Sequence, residues 1–231
     1  RQHATARILN GLRFDAAANE AVICGELALN DYAMVDWILG EEGAANSAFD
    51  SAEQAIVRTY LENGGNLLVS GSEVGYDLVS QGQPDDQEFF SDYLKAEYVS
   101  DAANAPRSFY PDGAAIFDGL GTMSFDDGTR GTYNVDYPDG IKPVGGAEIA
   151  LKYDGVDYET YGGAGIIYTG TFGESSEISR LVYISPGFET IYPTASRTSV
   201  MNRIVDYFRI PTGVADDPDG EIPATFALTG A

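Results

Sequence analysis

The 231 residues include 13 Lys or Arg and 36 Asp or Glu, a formal charge of −23, which repels phosphate backbones and excludes nucleic acid as a partner. No apolar run approaches the roughly 20 residues of a transmembrane segment, and the hydrophobic share of 44% suits one packed α/β domain with a substantial core. A single cysteine, Cys24, rules out an internal disulfide or a zinc–cysteine site, and the single histidine, His3, must serve in any Ser–His or Cys–His pair.

In chain order, residues 2–13 read as an amphipathic helix with Ala4, Ile8, Leu9 and Leu12 on its apolar face. A loop carrying Asn19, Glu20 and Gly25 leads to a buried strand over 32–39, closed by Gly40. Asp50 and Ser51, with Glu53 and Gln54 three residues on, form a capping box that starts a helix. Ile56, Val57, Tyr60 and Leu61 make its stripe, and Asn63-Gly64-Gly65 ends it. The buried strand Leu67-Leu68-Val69 follows at once, completing a βαβ unit that calls for a parallel sheet. Residues 86–95 read as a helix bearing Phe89, Phe90, Tyr93 and Leu94.

From about 107 to 160, Gly, Asp and Tyr become frequent between short alternating runs such as 132–135 and 149–153. With the hairpin dipeptide Asp154-Gly155, these predict an antiparallel β insertion. Buried strands at 165–169 and 181–185 resume the α/β pattern, and a helix over 195–208 closes it, with Val200, Met201, Ile204, Val205 and Phe208 inward and Pro211 as its stop. The expected organisation is one α/β domain over 1–211 and an acidic linker or tail over 212–231.

Several stretches carry a resemblance: Asn19-Glu20-Ala21-Val22, Val35-Asp36-Trp37-Ile38-Leu39-Gly40-Glu41-Glu42, the run Gly64 to Glu73, and Gly187-Phe188-Glu189-Thr190-Ile191 followed by Arg197 and Val200-Met201. Over roughly 1–210 the chain resembles bacterial secreted proteins labelled xanthan lyase-like, which are similar in fold to the class I glutamine amidotransferase-like superfamily. The resemblance implies a flavodoxin-like three-layer sandwich with a mostly parallel sheet. Ile222-Pro223-Ala224-Thr225-Phe226-Ala227-Leu228 resembles the lead-in to a type IX secretion sorting domain, which implies a secreted or cell-surface location. Domains of this kind open with a central strand. Nothing precedes the helix at 2–13, so an N-terminal fragment of the same precursor, or a neighbouring subunit, is expected to supply that strand.

In the amidotransferase-like fold the nucleophile stands in a Gly-X-nucleophile-X-Gly turn after a strand. Gly71-Ser72-Glu73-Val74-Gly75 has that spacing, but Glu73 stands where active members place cysteine, and Pro186-Gly187-Phe188-Glu189 occupies the neighbourhood of their histidine. Glutaminase activity is therefore not expected. Ser72 is the fallback nucleophile, with only carboxylates or distant lysines as base. The strand ends gather Glu20, Glu41, Glu42, Glu73 and Glu189, with Trp37 or Tyr76 as a flat face for a sugar and Arg197 as an ion-pair partner for Glu189. Such a set would bind a glycan, hold calcium, or supply paired acids. Asp126, Asp127, Asp136 and Asp139 are further calcium candidates, without EF-hand spacing; no other cofactor is implied. The leading expectation is a secreted, non-catalytic module with a structural or carbohydrate-associated role. The alternatives are a polysaccharide-degrading enzyme using Glu73 with Glu41 or Glu189, and a subunit of an extracellular assembly.

Overall fold

The computed structural model describes residues 1–210 and the backbone of 225–229. Its helices are α1 (Gln2–Leu9), α2 (Asn19–Ile23), α3 (Ser51–Glu62), α4 (Pro84–Asp92), α5 (Tyr158–Tyr161) and α6 (Thr194–Phe208). The strands are β1 (Phe14–Ala18), β2 (Met34–Gly40), β3 (Asn66–Gly71), β4 (Ala96–Ser100), β5 (Ser108–Pro111), β6 (Met123–Phe125), β7 (Gly140–Pro143), β8 (Glu148–Tyr153), β9 (Gly165–Gly170), β10 (Ser179–Ile184), β11 (Ile191–Tyr192) and β12 (Thr225–Thr229).

Ten of them form one sheet in the order β1-β12-β2-β3-β10-β9-β8-β5-β6-β11, while β4 and β7 pair separately. The ladders from β1 to β10 are parallel. Those from β10 onward are antiparallel. The fold is thus mixed α/β, and the sheet is parallel over one half rather than mostly parallel. The predicted insertion contributes β5, β6 and β8 to this main sheet. Strand β9, read as a return to the α/β pattern, is instead the antiparallel partner of β10.

Side chains of β2 alternate between two cores, as strand geometry requires. Val35, Trp37 and Leu39 meet Val57 and Leu61 of α3 and Phe89 and Phe90 of α4. Met34 faces the other way, toward Ala6 of α1 and Val200, Met201, Ile204 and Val205 of α6. The capping box of α3 forms as expected: the Asp50 carboxylate accepts from the Ala52 and Glu53 amides, and Glu53 accepts from the Asp50 amide.

Two expectations need correction. Helix α1 buries His3, Ala6 and Arg7 and leaves Ile8 and Leu9 about 60% exposed; of the predicted face, only Leu12, just beyond the helix, is buried. The stretch read as part of a tail supplies β12, which lies inside the sheet between β1 and β2, where an interior strand was expected to be missing. The linker reading of 212–224 falls outside the described residues.

Candidate functional site

Asp36 is a carboxylate with no exposure in the middle of β2. Burial works to raise its pKa, but His3 and then Arg7 outweigh that and hold it below the usual carboxylate range. His3 Nδ1 bonds Asp36 Oδ2 at 2.8 Å, and Arg7 donates to the same oxygen. One turn apart on α1, the two bases cover the acid from above. His3 Nε2 reaches Glu189 Oε2 at 3.0 Å. Burial lowers the histidine's pKa, yet Asp36 and then Glu189 raise it above its ordinary value overall. Both ring nitrogens are engaged by carboxylates, an arrangement that favours the imidazolium and leaves neither nitrogen free to act as a base.

Glu189 completes the chain of contacts. Its Oε1 accepts from the Tyr133 hydroxyl at 2.6 Å, and His3 and Tyr133 together hold its pKa down against burial. Gly187 leaves room for this bond: a Cβ there would stand 2.1 Å from the Tyr133 hydroxyl and 2.9 Å from Glu189 Oε1. Arg197 does not pair with the Glu189 carboxylate. Its guanidinium donates to the backbone carbonyls of Glu189 and Ile191 and to Gln2 Oε1, fastening the start of α6 to α1.

Glu73 and Ser72 follow β3 in the Gly71–Gly75 turn. Neither adopts the left-handed backbone of a strained nucleophile turn. The amides of Gly75 and Tyr76, which open the π-helical turn Tyr76–Gln81, already have an anion-type partner: Asp139 Oδ2 accepts from them at 2.6 and 3.3 Å. A Cβ on Gly75 would stand 3.1 Å from that oxygen. Asp139 is fully buried, burial raises its pKa well above the ordinary value, and its Oδ1 has no partner. It is an internal brace for the turn, not an exposed calcium ligand.

The predicted acids do not all meet at one place. Glu41, Glu73 and Asp136 line one small cavity with Ser72, Asn134 and Tyr137. Glu20 and Glu42 belong elsewhere: Glu42 is pushed up to about 7 by burial, then by Glu53 and Glu20. Trp37 is 1% exposed and packs on Phe49, so it offers no face to a sugar. Tyr76 is half-buried beside Asp139, and the aromatic ring on the cavity is Tyr137.

Asp126 is buried and accepts from the Gly128, Arg130 and Thr132 amides and the Thr132 hydroxyl, organising its own loop. Asp127 accepts from Thr129. Asp136, though exposed, accepts from Asn134. Among the described residues, no three His, Cys, Asp or Glu side chains meet in a way that would hold a metal.

The contacts that sequence reasoning missed are His3–Asp36–Arg7 and Tyr133–Glu189. Two signals were present: bases four apart in a helix, and one acid inside an apolar strand.

Neither a family model nor a curated protein matches the sequence. Among solved structures, the chain is similar to the E323A catalytic mutant of Gan42B, a GH42 β-galactosidase from G. stearothermophilus, with 14% identity, TM-score 0.57, and coverage of 90% of this chain and 25% of that one. It is also similar to the β-galactosidase from Rahnella sp. R3, with 14% identity, TM-score 0.55, and coverage of 95% and 28%. At such identity the likeness concerns the fold, and the chain spans about a quarter of the length of these proteins.

Proposed function

We propose that this chain is a class I glutamine amidotransferase-like, flavodoxin-like module of an extracellular or cell-surface protein, non-catalytic and carbohydrate-associated. The observation that carries the reading is the state of His3: the only imidazole of the chain is clamped between Asp36 and Glu189. An acyl-transfer site needs a base with a free ring nitrogen beside its nucleophile. Here Glu73 is the middle residue of the turn, and the Tyr133 hydroxyl near Ser72 donates a hydrogen bond to Glu189 and is held in its protonated form by burial and that carboxylate.

The strand order supports the finer fold. The parallel half, β1-β12-β2-β3-β10, follows the flavodoxin-like order 2-1-3-4-5 if β12 stands in the place of the first strand. The carbohydrate association draws on the cavity at the carboxyl ends of β2 and β3, the usual ligand position of open α/β sheets. It also draws on the β-galactosidases that share the fold over about a quarter of their length.

The test is a pair of measurements on the intact chain. Electrophoresis through gels containing soluble polysaccharides should show retardation by at least one of them. Assays for glycoside, ester and amide hydrolysis should show no turnover. Hydrolysis abolished by Glu73→Gln would replace this reading with the polysaccharide-degrading one.

A further inference from the structure

The ten-stranded sheet ends on one side in β11, two residues long, and on the other in β1. Strand β1 pairs with β12 in unbroken register, and among the described residues no strand lies on its other side. Natural sheet edges are blunted by lysine, proline, a bulge or a covering loop. Strand β1 reads Phe-Asp-Ala-Ala-Ala, has no bulge, and leaves Asp15, Ala16 and Ala18 exposed. Its one charge, Asp15, is held by the Tyr32 hydroxyl at 3.0 Å. Such an edge is a template for another strand.

The helices that flank this strand in the chain are apolar on their outer sides. Among the described residues five large apolar side chains are exposed. Three of them, Ile8 and Leu9 of α1 and Ile23 of α2, lie on the elements directly before and after β1, which marks this edge as a surface to be covered. The two helices sit on opposite faces of the sheet: Ala6 of α1 packs with the α6 side chains, and Val22 of α2 with those of α3. The Arg7 guanidinium lies 4.8 Å from the centre of the Phe14 ring, which sets one flank of α1 against β1, and Ile8 is the next residue round that flank.

Charge selects the partner and its direction. Arg13 precedes β1 and Glu20 follows it, both exposed. Burial, then Glu53 and Glu20, push the pKa of Glu42 up, so this end of the strand is short of positive charge. A second copy of β1 laid antiparallel brings each Arg13 toward the other copy's Glu20, twice by symmetry, whereas a parallel copy sets like ends together. We infer that β1 is the seam of a two-fold dimer of this chain, pairing antiparallel with β1 of the second copy. The two-fold axis stands perpendicular to the sheet, so each face continues into its own kind: Ile8 meets its counterpart on the α1 face, and Ile23 meets its counterpart on the α2 face.

Sedimentation equilibrium of the intact chain tests this at roughly 0.15 M salt or more, where repulsion between two chains of charge −23 is screened beyond about 8 Å. Mass should rise with concentration from monomer to dimer and stop there, because each copy has one β1 and the pairing closes. Ile8→Glu and Ile23→Glu should each raise the dissociation constant about tenfold or more, whereas Ile178→Glu, as exposed but remote from β1, should leave it unchanged. Arg13→Glu should weaken the dimer. Adding Glu20→Arg in the same chain should restore it, and adding Glu174→Arg, with the same net charge, should not. All these positions are exposed, and circular dichroism checks that each variant folds. A chain monomeric up to roughly 1 mM, a dimer indifferent to both Ile8→Glu and Ile23→Glu, or mass growing past two would each overturn the inference.

Discussion

Burying Asp36 carries a desolvation cost that its strand neighbours Met34, Val35 and Trp37 cannot offset, and His3 and Arg7 are what allow it to ionise there. The histidine's folded pKa is raised. Its stabilisation is therefore complete below the unfolded value of about 6.5 and is lost as pH climbs through the folded one. Asp36 and Glu189 have lowered folded pKa values. Their stabilisation is present above the unfolded carboxylate range near 4 and is lost as pH falls through the folded values. The network is thus strongest between about pH 4.5 and 6.5 and holds until His3 deprotonates. In urea unfolding, wild type should lose more stability above that window than His3→Gln does; parallel pH curves would count against the clamp. Asp139 behaves oppositely. Its raised folded pKa means that stability falls with rising pH from about 4 upward, by at most about 1.4 kcal/mol per unit. Asp139→Asn keeps an acceptor for the Gly75 and Tyr76 amides and has no proton to lose. Its melting temperature relative to wild type should rise between pH 4 and pH 8, and a constant difference would show that this carboxyl titrates in the folded state as it does in the unfolded one.

Helix α3 shows an element whose local signals and tertiary role agree. Asp50→Ala should remove one half of its capping box and cost about 1 kcal/mol, read as a shift in denaturant midpoint at unchanged slope. Agreement of this kind is why α3, α4, α6, β2, β3 and β10 were legible in the sequence: each is set by a cap or an apolar period that acts within a few residues. Helix α1 was legible as a helix but not in orientation. Its period fits Ile8 and Leu9 as well as Ala6, and only the charge of Asp36, 33 residues beyond His3, turns the polar side inward. The candidate site divides in the same way. The turn at Gly71–Gly75 could be read from glycine spacing. The aromatic on the cavity could not, because α3 and α4 bury the face of β2 that carries Trp37, and Tyr137 reaches the cavity only through the way the 134–137 loop folds back. Strand direction was hidden too: β9 carries the apolar run of a parallel strand but pairs antiparallel with β10 across a short connection.

At the scale of the whole molecule, the parallel half of the sheet depends on a strand drawn from far along the chain. Strand β12 pairs with β1 on one side and β2 on the other, and no direct β1–β2 ladder replaces it. Removing residues 225–229 would leave the amides and carbonyls on that side of β2 without partners beside a buried core. An exposed strand edge of that kind recruits another strand, and one candidate is the same segment from a second chain. A chain truncated after residue 224 should therefore melt at a lower temperature. It should also elute, by size exclusion with light scattering, as dimers or larger species at concentrations where the full chain elutes smaller. A synthetic peptide of residues 222–231 added in excess should return the truncated chain to the full-length elution volume. If truncation changed neither the melting temperature nor the mass, the sheet would not need β12, and the assembly-subunit reading would lose that edge as a place to act.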